Sequence, residues 1–86
     1  MYSQRFGRPV TVTQHASRRM AEREVSEALL LDLIETGDVR HKDETRLWIA
    51  KQYPERADNL LCVAVVLETS VVIKTLMHHF TWDLQP

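Results

Sequence analysis

The chain has 86 residues, 44% of them hydrophobic and 27% charged, with a formal net charge of -1, two glycines and three prolines. That length allows one domain with a single modest core, and the composition excludes a disordered chain or a repeat fibre and offers no general nucleic-acid signature. The longest apolar run, Leu60 to Leu67, is eight residues, too short to span a bilayer, and the N-terminus lacks an apolar signal core, so a cytoplasmic protein with no membrane partner is expected.

Residues 1–10 contain Gly7 and Pro9 but no sustained period, which reads as an N-terminal arm ahead of a single domain over residues 11–86. Val10 to Val12 reads as a short edge strand. Thr13 is a good N-cap for a helix from Gln14 to about Arg23, with Ala16 and Met20 facing inward. This helix is short and weakly apolar, so it needs tertiary support. Ser26 caps a second helix, in which Val25 and Leu30 are placed as a hydrophobic staple and Leu30, Leu33 and Ile34 form the buried stripe. Gly37 is expected to end it in a left-handed conformation.

After Gly37 the period becomes extended. Val39 to Lys42 reads as a short strand, and Arg46 to Tyr53 alternates Leu47, Ile49, Lys51 and Tyr53 against Arg46, Trp48, Ala50 and Gln52 until Pro54 ends it. Asp58-Asn59 closes a loop before the apolar run, which suits a central strand covered on both faces. Val71 to Met77 follows after Glu68-Thr69-Ser70. These connections are too short for parallel crossovers. The expected class is therefore α+β, with two N-terminal helices packed on one face of a three- to four-stranded antiparallel sheet.

Charge is unevenly distributed. Residues 1–23 carry five arginines against one glutamate, a net of +4, whereas residues 24–86 carry a net of -5. Within the basic part, His15, Arg19 and Arg23 recur every four residues and share one helix face. An imidazole beside guanidiniums suits proton transfer at a phosphodiester, with one group to move a proton and others to hold anionic oxygens. The ordinary alternative is a locally hydrogen-bonded histidine and arginines paired with Glu22, Glu24 and Glu27. Thr75 breaks an apolar strand face between Ile73 and Met77; strict alternation sets Lys74, Leu76 and His78 on the opposite face, unless a bulge intervenes. Its hydroxyl is either functional or bonded to the backbone.

His15, His41, His78 and His79 lack zinc-like spacing, and neighbouring His78 and His79 point apart in a strand, so no metal or cofactor is expected. Cys62, the only cysteine, reads as a buried strand residue. Trp48, Tyr53, Phe80 and Trp82 either form an aromatic contact edge, for a homodimer or another protein, or complete the core.

The pattern Thr13-x-His15-Ala16-x-x-Arg19-Met20-x-x-Arg23-x-Val25-Ser26, the leucine-rich helix ending at Gly37 and the strand Val72-Ile73-Lys74-Thr75 resemble a small bacterial family known as domain of unknown function 4258. The resemblance runs from about Val12 to about Phe80. That family is similar to the fold shared by barnase, EndoU, colicin and RelE-type ribonucleases, many of them toxins. The resemblance implies a RelE-like domain with a site made of His15, Arg19, Arg23 and Thr75, and metal-independent cleavage of RNA in which the 2'-OH attacks the adjacent phosphorus. His15 is then the base, Arg19 and Arg23 stabilise phosphoryl charge, and Thr75 orients the phosphate. His78 is the acid candidate by position, and Arg18, Lys51 and Lys74 are further cations for holding substrate. RNA, with or without the ribosome, and a cognate antitoxin are the partners implied. The alternative is a non-catalytic protein-binding module on the same fold.

Overall fold

The structure is a computed structural model that describes residues 1–57 and 60–78. The elements run β1 (Tyr2–Ser3), β2 (Arg8–Val12), α1 (Gln14–Glu22), α2 (Glu27–Thr36), β3 (Asp38–His41), β4 (Arg46–Lys51), β5 (Leu61–Leu67) and β6 (Val71–Met77). All six strands form one sheet in the order β1-β2-β6-β5-β4-β3. The Asp58-Asn59 loop, His79, Phe80 and Trp82 lie outside the described residues.

This corrects the expected three- to four-stranded antiparallel sheet. Strands β3 to β6 do form an antiparallel meander, but β2 joins β6 in parallel, with Val10 opposite Val71 and Val12 opposite Ile73. Short connections dictate antiparallel pairing only for strands consecutive in the chain. β2 and β6 are joined by most of the domain, so their pairing needs no short crossover. The first ten residues, expected as an arm, supply β1 and part of β2. β1 and β2 make an antiparallel hairpin with Tyr2 opposite Pro9, helped by Gly7 at φ +64, where a side chain would be strained. Pro9 precedes the β2–β6 ladder, where its missing N–H breaks no inter-strand bond.

The buried residues Ala16 and Met20 of α1 and Leu30, Leu33 and Ile34 of α2 join Leu47, Ile49, Val63, Val65, Val71, Ile73 and Leu76 of the sheet in one core. Helix α2 touches both β4 and β1. In a flat sheet those strands would be about 19 Å apart, wider than a helix of about 10 Å. The sheet therefore curls around α2. Polar contacts hold this closure: the Glu35 carboxylate accepts from the Gln4 and Arg5 amides at 2.7 and 2.9 Å. The Arg5 guanidinium donates to the Ile34 and Gly37 carbonyls at 3.0 and 2.7 Å, placing a cation at the C-terminus of α2.

Both helix starts follow the capping chemistry read from sequence: the Thr13 hydroxyl accepts from Ala16 N and the Ser26 hydroxyl from Leu29 N, each at 3.1 Å. Their ends depart from it. Gly37 has φ -74 and ψ 167, so it is not a left-handed stop. It is small because a Cβ there would lie 2.6 Å from the Leu33 carbonyl oxygen and 2.8 Å from Ile49 Cγ2. The left-handed residue is Glu24, at φ 54, after α1. Val25 N donates to the Met20 carbonyl at 2.8 Å and Glu24 N to the Ala21 carbonyl at 3.3 Å, a Schellman pair with glutamate where glycine is usual.

Candidate functional site

Strand β2 delivers Thr13 to the middle of β6. Thr13 N donates to the Ile73 carbonyl at 3.1 Å, and its hydroxyl donates to the Lys74 carbonyl at 3.2 Å. The chain then turns into α1, and His15 Nε2 lies 3.1 Å from Thr75 Oγ1. The alternatives left open by sequence are thereby narrowed: Thr75 meets the imidazole, sixty residues away in the chain. Which atom donates depends on the imidazole tautomer.

A register shift in the β5–β6 pairing accounts for the position of Thr75. Ala64 faces Thr75 while Val65 faces Ile73, leaving Lys74 as an extra residue. Strict alternation consequently fails along β6. Ile73 and Leu76 both enter the helix-side core, whereas Met77 packs with Ala50 and Cys62 on the other side of the sheet. Lys74 is exposed and Thr75 half-buried.

Along α1, Arg19 follows His15 by four residues, about 6 Å along the axis, and Arg23 by eight, about 12 Å. Arg19 makes a loose contact with Glu22, 3.6 Å, and the Nε atoms of Arg19 and Arg23 are buried without a hydrogen-bond partner. Arg23 lines a cleft of about 400 Å3 with Glu22, Glu24, Arg56 and Ala57. Arg56 donates to the Arg23 carbonyl at 2.5 Å and the Glu24 carbonyl at 3.3 Å, capping α1 at its negative end. Arg18 is exposed and is turned by about 100° from Arg19 around the helix.

The other candidates fall elsewhere. Lys51 donates to Asp32 Oδ2 at 2.9 Å and to the Thr36 hydroxyl at 2.7 Å, and so is tied to α2 rather than to His15. Tyr53 donates to the same carboxylate oxygen at 2.6 Å and is buried in the core, which settles its place among the aromatics. The Lys51 and Tyr53 hydrogen bonds hold the Asp32 carboxyl below its ordinary range. Burial, with the Asp32 charge, raises the Tyr53 phenol. Sequence spacing gave no hint of this network, because its members lie on different elements. His78 follows β6 and is half-buried.

The basic N-terminal third is also less available than its count implied. Arg5 is bound to carbonyls of α2, and Arg8 donates to the Phe6 and Glu68 carbonyls at 3.2 and 2.7 Å. The arginines of α1 are what remain for an external anion. Burial pushes the Cys62 thiol up to about 12, which keeps it protonated and unreactive at neutral pH. Among the described residues no cluster of three His, Cys, Asp or Glu side chains could hold a metal ion, and no helix is long and apolar enough to cross a membrane.

A small sheet curled over two helices, with a histidine–threonine pair where the first helix meets the last strand, is the architecture these residues define. Residues 12–78 match the family described as Domain of unknown function (DUF4258). The chain belongs to that family. No curated protein and no solved structure matches it.

Proposed function

We propose that the protein is a ribonuclease of the RelE-like toxin type, cleaving RNA by attack of a 2'-oxygen on the adjacent phosphorus. The observation that carries this reading is the His15–Thr75 contact with Arg19 one helical turn away. In the tautomer protonated at Nδ1, His15 Nε2 accepts the Thr75 hydroxyl proton in the free protein. Once a phosphate is bound, Thr75 donates to a phosphoryl oxygen instead, and Nε2 is released to take the 2'-OH proton. The P–O2' bond forms and the P–O5' bond breaks. The products are a 2',3'-cyclic phosphate and a 5'-hydroxyl, whose oxygen receives a proton from a general acid, with His78 the candidate.

Arg19 is close enough to His15 to bind the phosphate being attacked, where its N–H groups stabilise the charge developing on the equatorial oxygens. Arg23 is a further turn away and meets the neighbouring phosphate. The His15 to Arg23 motif resembles the domain of unknown function 4258 family, and the similarity of that family to the toxin ribonuclease fold is the further reason for this reading; an antitoxin would be the matching protein partner.

The test is incubation of the purified protein with a mixed RNA pool in the presence of a chelator, with the new ends identified. Cyclic phosphate ends are expected from the wild type, and a loss of about 100-fold or more from His15→Ala with an unchanged circular dichroism spectrum. Expression of the wild type should arrest growth and that of His15→Ala should not. Normal growth at high soluble expression, with intact RNA, would reject the enzyme in favour of the non-catalytic binding module.

A further inference from the structure

The face of the sheet away from the helices carries a second feature beside the His15–Thr75 pair. Trp48 of β4 faces Ala64 of β5, and Ala64 faces Thr75 of β6. Directly opposed residues of an antiparallel ladder are close neighbours, so one rung runs from Trp48 through Ala64 to Thr75. The small Ala64 leaves a trough. Its volume is about 230 Å3, and Lys42, Arg46 and Lys74 stand around it. That size suits a single base rather than a larger ligand.

The cations differ in availability. Arg46 is held by Asp43, with Nε 2.7 Å and a terminal nitrogen 2.6 Å from Oδ2. Lys42 and Lys74 form no ion pair among the described residues and are both exposed. Lys74 is the extra residue of the β6 bulge, next to Thr75 in the chain. An aromatic ring between unpaired lysines is the chemistry that holds single-stranded nucleic acid: the ring stacks on a base, and the lysines neutralise flanking phosphates.

We propose that this trough is a binding subsite for single-stranded RNA, stacking one base on Trp48 and placing the adjoining phosphates between Lys42 and Lys74, beside the phosphate addressed by His15 and Thr75. The bulge serves both sites by setting Lys74 toward the trough while Thr75 meets His15. The subsite extends the ribonuclease reading above, and it requires a strand rather than a duplex because a paired base cannot present its face to the indole.

The experiment is fluorescence anisotropy with a labelled 2'-O-methyl oligoribonucleotide, which has no 2'-OH to attack, on wild-type protein, Lys42→Ala/Lys74→Ala, Trp48→Leu and Trp48→Phe. The double lysine variant should bind about ten-fold more weakly, with the slope of log K against log salt reduced by about 1.4, near 0.7 per lysine. Trp48→Leu should lose about ten-fold and Trp48→Phe much less. The lysines are surface residues, so their variant keeps the test valid even if Trp48→Leu fails to fold. Failure of the wild type to bind, or equal binding by the wild type and the lysine variant, overturns the subsite. RNA cleavage with no such dependence leaves the ribonuclease and removes the trough; lysine-dependent binding without cleavage supports the trough and removes the ribonuclease.

Discussion

The Thr13 hydroxyl donates to the Lys74 carbonyl at 3.2 Å while accepting from the Ala16 amide at 3.1 Å. One side chain thus caps α1 and fastens it to the bulge of β6. The distance between His15 and Thr75 depends on this bridge, since each lies within two residues of one of its ends.

Replacing Thr13 with valine removes both bonds while keeping the shape. A loss of about 1–2 kcal/mol is expected from the uncapped helix, with Thr13→Ser retaining most of the stability. Urea unfolding measures this through the midpoint at constant slope. If cleavage is present, Thr13→Val should lower it even where the protein remains fully folded, because the imidazole and hydroxyl lose their common reference.

Gly37→Ala introduces a Cβ against the Leu33 carbonyl and Ile49 Cγ2 and should cost about 1–3 kcal/mol. Gly37→Asn should be at least as harmful. A left-handed cap would show the reverse order, because asparagine tolerates that conformation better than alanine. Thermal melts of the two variants decide between the explanations.

Glu24 adopts φ 54 without the freedom of glycine. Glu24→Gly should stabilise the fold by up to about 1 kcal/mol, and Glu24→Ala should not. The Arg56 bond is to the backbone carbonyl and survives both changes. A melting temperature of Glu24→Gly at or below that of the wild type would contradict this.

Asp32 has a folded pKa below its ordinary value, chiefly through the Lys51 hydrogen bond and then that of Tyr53. For a carboxylate depressed by folding, the stabilisation is fully present above the unfolded pKa of about 3.9 and is lost as pH falls through the folded value. Wild-type stability should therefore drop below about pH 4, and Asp32→Asn should show a shallower drop over that window. Parallel pH profiles of the urea midpoint test this; identical slopes would show that Asp32 contributes nothing to acid sensitivity.

Local chemistry was legible in the sequence and long-range pairing was not. Thr13 and Ser26 announced the two helix starts because a cap acts within three residues. The stripe Leu30, Leu33 and Ile34 marks the face α2 buries, and Val71 to Met77 reads as a strand with its observed limits. Gly37 ends α2 for a reason the sequence does not reveal, since a glycine needed for close approach looks the same in sequence as one needed for backbone freedom. The parallel seat of β2 against β6 had no local signal, because five residues carry no record of a partner about sixty positions away. At the candidate site the His15, Arg19 and Arg23 spacing was visible, but the capture of Lys51 by Asp32 depended on tertiary packing. The β6 bulge enters the sequence reading only as a condition on the alternation, and it decides which neighbours Lys74 and Thr75 meet.

The parallel pairing of β2 with β6 also constrains when the protein becomes itself during synthesis. β2 and α1 emerge early from the ribosome, yet their partners Ile73, Lys74 and Thr75 emerge late, and contacts of such long sequence separation form only after the intervening chain is available. The β3–β5 part of the meander has shorter-range contacts and is complete before β6 emerges. His15 cannot meet Thr75 before β6 is available, so a nascent chain holds the two halves of the site apart until β6 has left the exit tunnel.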